Sequence, residues 1–255
     1  MAFILVTGGT GTLGRLVTPL LSDAGHPVRV LSRRGGTSAG GVEHVVGDLS
    51  TGEGVEAAVE GAEVVLHLAG GPKGDAAATE RLVRAAVAVG VRHFVHISAI
   101  GVDRMPPAWF SEKLGAERAV AESGLPWTTL RAAQFHDLVL TVVGKMARLP
   151  VVPVPGGLRF EPVDARDVAE RLVGLTLGEP AGLVPDLAGP EVHGLGELVR
   201  SYLAAHDKRR PALPIRMPGK AGRAYRAGDN LAGPQATRGT RTWEDFLAER
   251  VPANR

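Results

Sequence analysis

Near the start of the chain, the glycine-rich stretch Thr7–Gly14, TGGTGTLG, follows a continuous apolar run from Phe3 to Thr7. Such a run, with no polar alternation, reads as a strand buried on both faces. Gly11 to Ala24 then carries Leu13, Leu16, Val17, Leu20 and Leu21 at helical spacing. Gly8, Gly11 and Gly14 therefore fit G-x-x-G-x-x-G at a strand-to-helix junction. Glycine allows a tight turn, a close approach of backbone to a phosphate, and close packing of the helix on the sheet. The free N–H groups of the helix start favour an anion there. A glycine pattern alone is weak. Its place at the first junction of a β-α-β chain makes it specific, against the plainer reading of a glycine-rich turn.

The rhythm continues. Val28 to Ser32, Val42 to Val46, Val64 to Ala69, Phe94 to Ser98 and Trp127 to Arg131 read as strands. Gly52 to Val59, Ala76 to Val89 and Glu112 to Ser123 read as helices. The alternation predicts an α/β fold, a Rossmann-type doubly wound parallel sheet with helices on both faces. After about Ala133 the rhythm loosens into a Pro-rich turn region. A helix over Ala165 to Leu177, a late strand in LVPDLAGP and a helix in GLGELVRSYLAAH follow. A short last helix in TWEDFLAERV should be capped by Thr242 or a neighbour. Residues 1–135 are expected to form the cofactor-binding core. Residues 136–255 should complete the sheet and form a small C-terminal substrate lobe.

The 255 residues suffice for one large domain, or one with a small appended lobe. Cysteine is absent, so disulfides and thiolate chemistry are excluded. No segment approaches the roughly 18 apolar residues of a membrane span. The amino terminus lacks a basic leader, and the expectation is a cytoplasmic protein. Net charge is only +2, but Lys208 to Arg226 holds seven basic residues and no acid. Pro and Gly interrupt any recognition helix there. The stretch therefore reads as a solvated surface loop near a phosphate-bearing cofactor rather than as a nucleic-acid site.

The second strand ends in VLSRRGG. A carboxylate at this point would grip a ribose 2′-hydroxyl, as in NAD sites. Arg33 and Arg34 stand there instead, 19 and 20 residues after Gly14. Paired guanidinium groups suit a 2′-phosphate, so the expected cofactor is NADP(H). Asp48, in VVGDLS, is either a partner for the adenine amino group, with Leu49 beside it, or a turn residue.

On TGGTGTLG, LSRR, GDLS, VLHLAGG, VHISAIGVD, EKLGAERAV and WTTLRAAQFHD the chain resembles the atypical, NmrA-like members of the short-chain dehydrogenase/reductase superfamily. PVDARDVAERLV and TWEDFL extend the resemblance over nearly the whole length. It implies a nicotinamide cofactor held by Thr7, Gly8, Gly11, Thr12, Leu13 and Gly14 around its diphosphate. It places Leu68, Ala69 and Gly70 beside the nicotinamide ribose. Ser98 would polarise a carbonyl, and Lys113 would bond the ribose as the lysine of a Tyr-x-x-x-Lys motif. Trp109, Gln134, Phe135 and His136 would line the substrate pocket.

The motif's tyrosine is replaced by Trp109, which has an N–H but no acidic proton to give. Three substitutes are open. Lys113 could act as acid or base, His136 could relay a proton, or a quinone or conjugated acceptor could take hydride and be protonated by water. For His136 the plainer reading is a surface or core-edge histidine. Tyr202 reads as core, and Asp167 as a cap or buried bond. His93 and His96 fall on opposite strand faces and are no metal pair; no metal site is expected. The reading is an NADPH-dependent oxidoreductase acting on a small-molecule carbonyl, quinone or enone, as a monomer or homodimer. The alternative is a catalytically weak NADP(H)-binding sensor.

Overall fold

The computed structural model describes residues 1–106 and 108–250. In chain order its elements begin β1 (Ile4–Thr7), α1 (Gly14–Asp23), β2 (Val28–Ser32), β3 (Val42–Val46), α2 (Val55–Val59), β4 (Val64–His67) and α3 (Asp75–Ala88). Then come β5 (His93–Ala99), α4 (Ala108–Ala121), β6 (Trp127–Ala132), α5 (His136–Met146), β7 (Val152–Pro155), β8 (Arg159–Phe160) and α6 (Ala165–Leu177). The last are β9 (Gly182–Leu183), β10 (Leu187–Ala188), β11 (His193–Gly194), α7 (Leu195–Ala205), β12 (Ala212–Ile215), α8 (Gly219–Ala227), β13 (Thr237–Arg238) and α9 (Trp243–Arg250).

The chain divides into two compact units. The first holds residues 1–98, 108–131 and 168–184. The second holds the described residues within 99–107, 132–167 and 185–255. Residues 168–184 return to the first unit, where β9 pairs with β6 through Thr128 and Gly182.

In the first unit the strand order is β3-β2-β1-β4-β5-β6. The pairs around β1 are parallel, with Ile4 beside Val28 on one side and Val64 on the other. Strand alternation sends Leu5, Leu31, Val65 and Phe94 to one face. There they meet Val55 and Val59 of α2, Leu82 and Ala86 of α3, and Val120 of α4. Ile4, Val6 and Val30 point the other way, and α1 buries Val17 and Leu21. Each such side chain contributes about 1.5–3 kcal/mol by leaving water. α4 starts at Ala108, earlier than the expected Glu112, so Trp109 and Lys113 sit one turn apart on one helix.

The second unit packs Val139 and Val143 of α5 with Leu198, Val199 and Tyr202 of α7 and with Trp243, Phe246 and Leu247 of α9. α5 was not legible, because Leu138 and Val142 are exposed and blur its apolar stripe. The basic stretch 208–226 is not a loop. β12 pairs in parallel with β7, and α8 follows. Strand pairing and the close approach of Gly222 to the Met217 carbonyl override the local Pro and Gly signals. The terminal helix behaves as expected, with the Asp245 N–H donating to Thr242 Oγ1 at 3.1 Å.

Asp167 is a structural acid. Its Oδ2 accepts the N–H groups of Thr240 at 2.9 Å and Arg241 at 3.1 Å, and the Arg241 guanidinium pairs with Oδ1. Asp167→Ala strands these donors and should lower the unfolding free energy by about 3 kcal/mol. Urea denaturation measures this. An unchanged midpoint would show the bonds to be dispensable.

Candidate functional site

β1 lies where the first unit's sheet changes direction of growth, with β2 and β3 on one side and β4 to β6 on the other. Ligands of open α/β sheets bind outside the carboxyl ends of strands at such a point. A cleft of about 590 Å³ opens there. Thr7, Gly8, Thr10 and Gly11 line it after β1, Ser32 and Arg33 after β2, and Gly47 to Ser50 after β3. His67 to Asp75 line it after β4. Of the residues expected to bind cofactor, Thr7, Gly8, Gly11, Arg33, Asp48, Leu49, Leu68, Ala69 and Gly70 lie in this lining. Thr12, Leu13, Gly14, Arg34 and Lys113 lie outside it.

Each glycine has its own reason. Gly8 has φ +70°, and a Cβ on it would come within 2.6 Å of the Ala69 nitrogen. The Gly11 N–H donates to the Gly8 carbonyl at 3.0 Å and tightens the turn. A Cβ on Gly14 would collide with the Gly8 oxygen and the Gly9 backbone, so glycine there lets α1 close on the loop. Arg33 is exposed at the rim, with no salt bridge among the described residues. Asp48 takes its turn role. Its Oδ1 accepts the Ser50 N–H at 2.8 Å and the Ser50 hydroxyl at 2.7 Å. These bonds hold its carboxyl below the usual range.

Lys113 is buried, 8% exposed, and its Nζ lies 3.0 Å from Oδ2 of Asp75, itself 4% exposed. A Cβ on Gly70 would lie 2.6 Å from that Nζ, so the ammonium sits directly against the loop after β4. Ser98 is buried at the end of β5 and its Oγ has no hydrogen-bond partner among the described residues. Trp109 is half-buried, edge-on to Phe110 with ring centroids 4.7 Å apart.

Two histidines complete this wall. His67 Nδ1 meets Thr7 Oγ1 at 2.6 Å, its Nε2 meets Thr79 Oγ1 at 2.9 Å, and its ring stacks on His96 at 5.5 Å. A neutral imidazole, with one donor and one acceptor, suits two hydroxyls. Burial, and then the Lys113 charge, lowers His67 to about 3. His96 is lowered as well, through burial, His67 and Lys113. The sequence reading did not select Asp75, His67 or Thr79. The available signal was a histidine ending a buried strand just before Leu68-Ala69-Gly70, and an acid opening the next helix.

The remaining residues lie in the second unit. Gln134 and Phe135 are half-buried. The Gln134 side-chain oxygen has no hydrogen-bond partner among the described residues. His136 is fully buried, its Nε2 is 3.1 Å from the Pro162 carbonyl, and its ring packs on Trp243 and Phe246. It has the surroundings of a core histidine rather than those of a pocket residue. Tyr202 is a core residue. Glu191, His193 and Glu244 bring three ligand-type atoms within 4.8 Å of one another, a grouping with no sequence signal. They are mostly exposed. No helix among the described residues is long and apolar enough to cross a membrane.

The His67 environment makes folding sensitive to acid. Above about pH 6.5 the imidazole is neutral in both folded and unfolded chains. Below that, the unfolded chain takes up a proton that the fold refuses until about pH 3. Stability therefore falls as pH drops through this window, with a limiting slope of about 1.4 kcal/mol per pH unit from this group. Urea unfolding between about pH 7 and about pH 5 should show a shallower loss in His67→Gln than in the wild type. Equal slopes would mean that His67 is protonated within the fold.

Comparison with known proteins agrees with this geometry. A family model described as NAD(P)H-binding matches residues 8–173. A reductase of (4-alkanoyl-5-oxo-2,5-dihydrofuran-3-yl)methyl phosphate from Streptomyces griseus is 33% identical over 87% of this chain and 84% of its own. An NAD(P)H azoreductase from Xenophilus azovorans is 30% identical over 79% and 73%. Among solved structures, a nucleoside-diphosphate-sugar epimerase from Staphylococcus aureus superposes with a TM-score of 0.80 at 19% identity, covering 96% of this chain and 99% of that one. An NADPH-dependent quinone oxidoreductase from Escherichia coli, complexed with NADPH, gives 0.76 at 19% identity over 97% and 99%. The last two speak for the fold alone. The glycine turn, the sheet order and the family match together make this chain a member of the NAD(P)H-binding family of NmrA-like, atypical short-chain dehydrogenase/reductases.

Proposed function

We propose that the chain is an NADPH-dependent reductase that passes hydride to a small carbonyl, quinone or conjugated enone. The observation that carries this reading is the rim of the cleft after β2. Arg33 stands there, with Arg34 next to it, and no carboxylate takes the place that would hold a free ribose 2′-hydroxyl. The turn at Gly8 and Gly11 and the start of α1 offer backbone N–H groups to the diphosphate. Lys113, at the Gly70 wall, offers its ammonium to the nicotinamide ribose. The bound cofactor supplies the hydride; the protein supplies binding and alignment.

Trp109 narrows the acceptor. The Trp109 N–H is not acidic enough to protonate an alkoxide, and Ser98 is a weak hydroxyl acid. An acceptor that takes hydride at carbon and spreads the charge over conjugated carbonyls needs no enzyme acid, because water can protonate it afterwards. The substrate in the Streptomyces relative's name is of this chemical type, a ring alkene flanked by carbonyl groups. The Xenophilus relative's name gives an azo acceptor. Trp109 also favours a second reading, a cofactor sensor that binds NADP(H) without turnover.

NADPH should bind at least about tenfold more tightly than NADH, the effect of one charge-assisted contact to the extra phosphate. Arg33→Ala/Arg34→Ala should erase most of that preference. Titration of nicotinamide fluorescence measures both. Equal affinities in the wild type would remove the 2′-phosphate assignment. Tight NADPH binding without oxidation by any quinone, enone or aldehyde would turn the reading to the sensor.

A further inference from the structure

We infer that Asp75 is a positioning residue: its buried carboxylate holds the Lys113 ammonium against Gly70, in the wall of the cofactor cleft. This rests on reading the cleft as an NADPH site.

Asp75 opens α3, and Lys113 lies on α4. The two helices pack closely, since a Cβ on Gly115 would come within 2.8 Å of Ala76 Cβ. Glu112 Oε2 accepts the Ala76 N–H at 3.3 Å and fixes the register. Lysines at surfaces usually extend their heads to water. Lys113 instead ends inside the wall, where an ammonium without a counter-charge is costly. His67 and His96, its other titratable neighbours, are held neutral and supply no negative charge. Asp75 supplies it.

The carboxylate divides its two oxygens. Oδ1 accepts the Gly71 N–H at 3.3 Å and so ties the loop after β4 to the helix start. Oδ2 lies 3.0 Å from Lys113 Nζ, but not at hydrogen-bonding geometry. The pairing is therefore ionic, and an ammonium has three N–H donors to share between the carboxylate and a ligand hydroxyl. Where the family's pattern has a tyrosine beside the lysine, this chain has Trp109, which carries no negative charge to hold Lys113. Asp75 orients the ammonium from the neighbouring helix.

Asp75→Asn is nearly isosteric, keeps an oxygen for Gly71, and removes the charge and the acceptor facing Lys113, so it is the informative variant. The probes are NADPH and 2′,5′-ADP, which shares the adenosine half but has no nicotinamide ribose. Asp75→Asn should weaken NADPH by about tenfold, the effect of losing one well-aimed bond from a charged donor. It should leave 2′,5′-ADP within about twofold, a change too small to reflect a lost bond. Equal weakening of both probes would reveal general damage to the cleft and overturn the inference, as would unchanged NADPH affinity. Lys113→Met should show the same selective loss, and Asp75→Asn should add little to it. A further loss as large as in the wild-type background would also overturn the inference. If the wild type binds neither probe, the NADPH reading itself fails, and the role of Asp75 fails with it.

Discussion

The backbone of Gly8 lies against the backbone of Ala69 with less room than a methyl group needs. This contact joins the loops leaving β1 and β4, the two strands on either side of the sheet's change of direction. A side chain at Gly8 would push the loops apart and would also have to adopt φ +70°. The floor of the cleft, the start of α1 and the position of Gly70 all follow from it. Gly14 does the same service one turn later, by letting α1 descend onto the Gly8 carbonyl.

Behind that floor the chain buries an unusual polar set. Thr7, His67 and Thr79 form a hydrogen-bonded row across β1, β4 and α3. Buried polar groups are tolerated when their bonds are satisfied, and this row is. His96, stacked on His67, has neither ring nitrogen partnered among the described residues, and neither is Ser98 Oγ. These two lie on the same face of β5, two residues apart, next to the Lys113 wall. Fold stability alone gives no reason for leaving them unpaired, whereas a ligand or water with polar atoms at this wall would.

Much of the first unit was legible because its signals are local. A strand buried on both faces is a run of Val, Ile and Leu, and Thr7–Gly14 marks the first turn directly. Arg33, placed by counting from Gly14, lies in the cleft's lining. Asp75 was missed because its role depends on α3 and α4 lying side by side, a contact made 38 residues apart. His67 was missed for a similar reason: its partners Thr7 and Thr79 are 60 and 12 residues away. The second unit was less legible. α5 exposes Leu138 and Val142, so its periodicity is blurred. β12 has exposed side chains throughout and is a strand through its pairing with β7.

Trp109 stands where the resemblance would place a tyrosine, and the wall beside it has a definite electrostatic character. A lysine that serves a neighbouring tyrosine stabilises a developing phenolate, and its charge is used in the reaction. Lys113 has no phenol to serve, and its charge is already matched by Asp75. Two neutral histidines and a matched ion pair make this wall close to electrically balanced. A balanced wall stabilises no oxyanion strongly. Under the proposed function, such a wall goes with an acceptor that disperses its own charge, as a quinone or a doubly activated alkene does. The same balance fits the role proposed for Lys113, to bind and to orient, since both require a fixed ammonium rather than a reactive one.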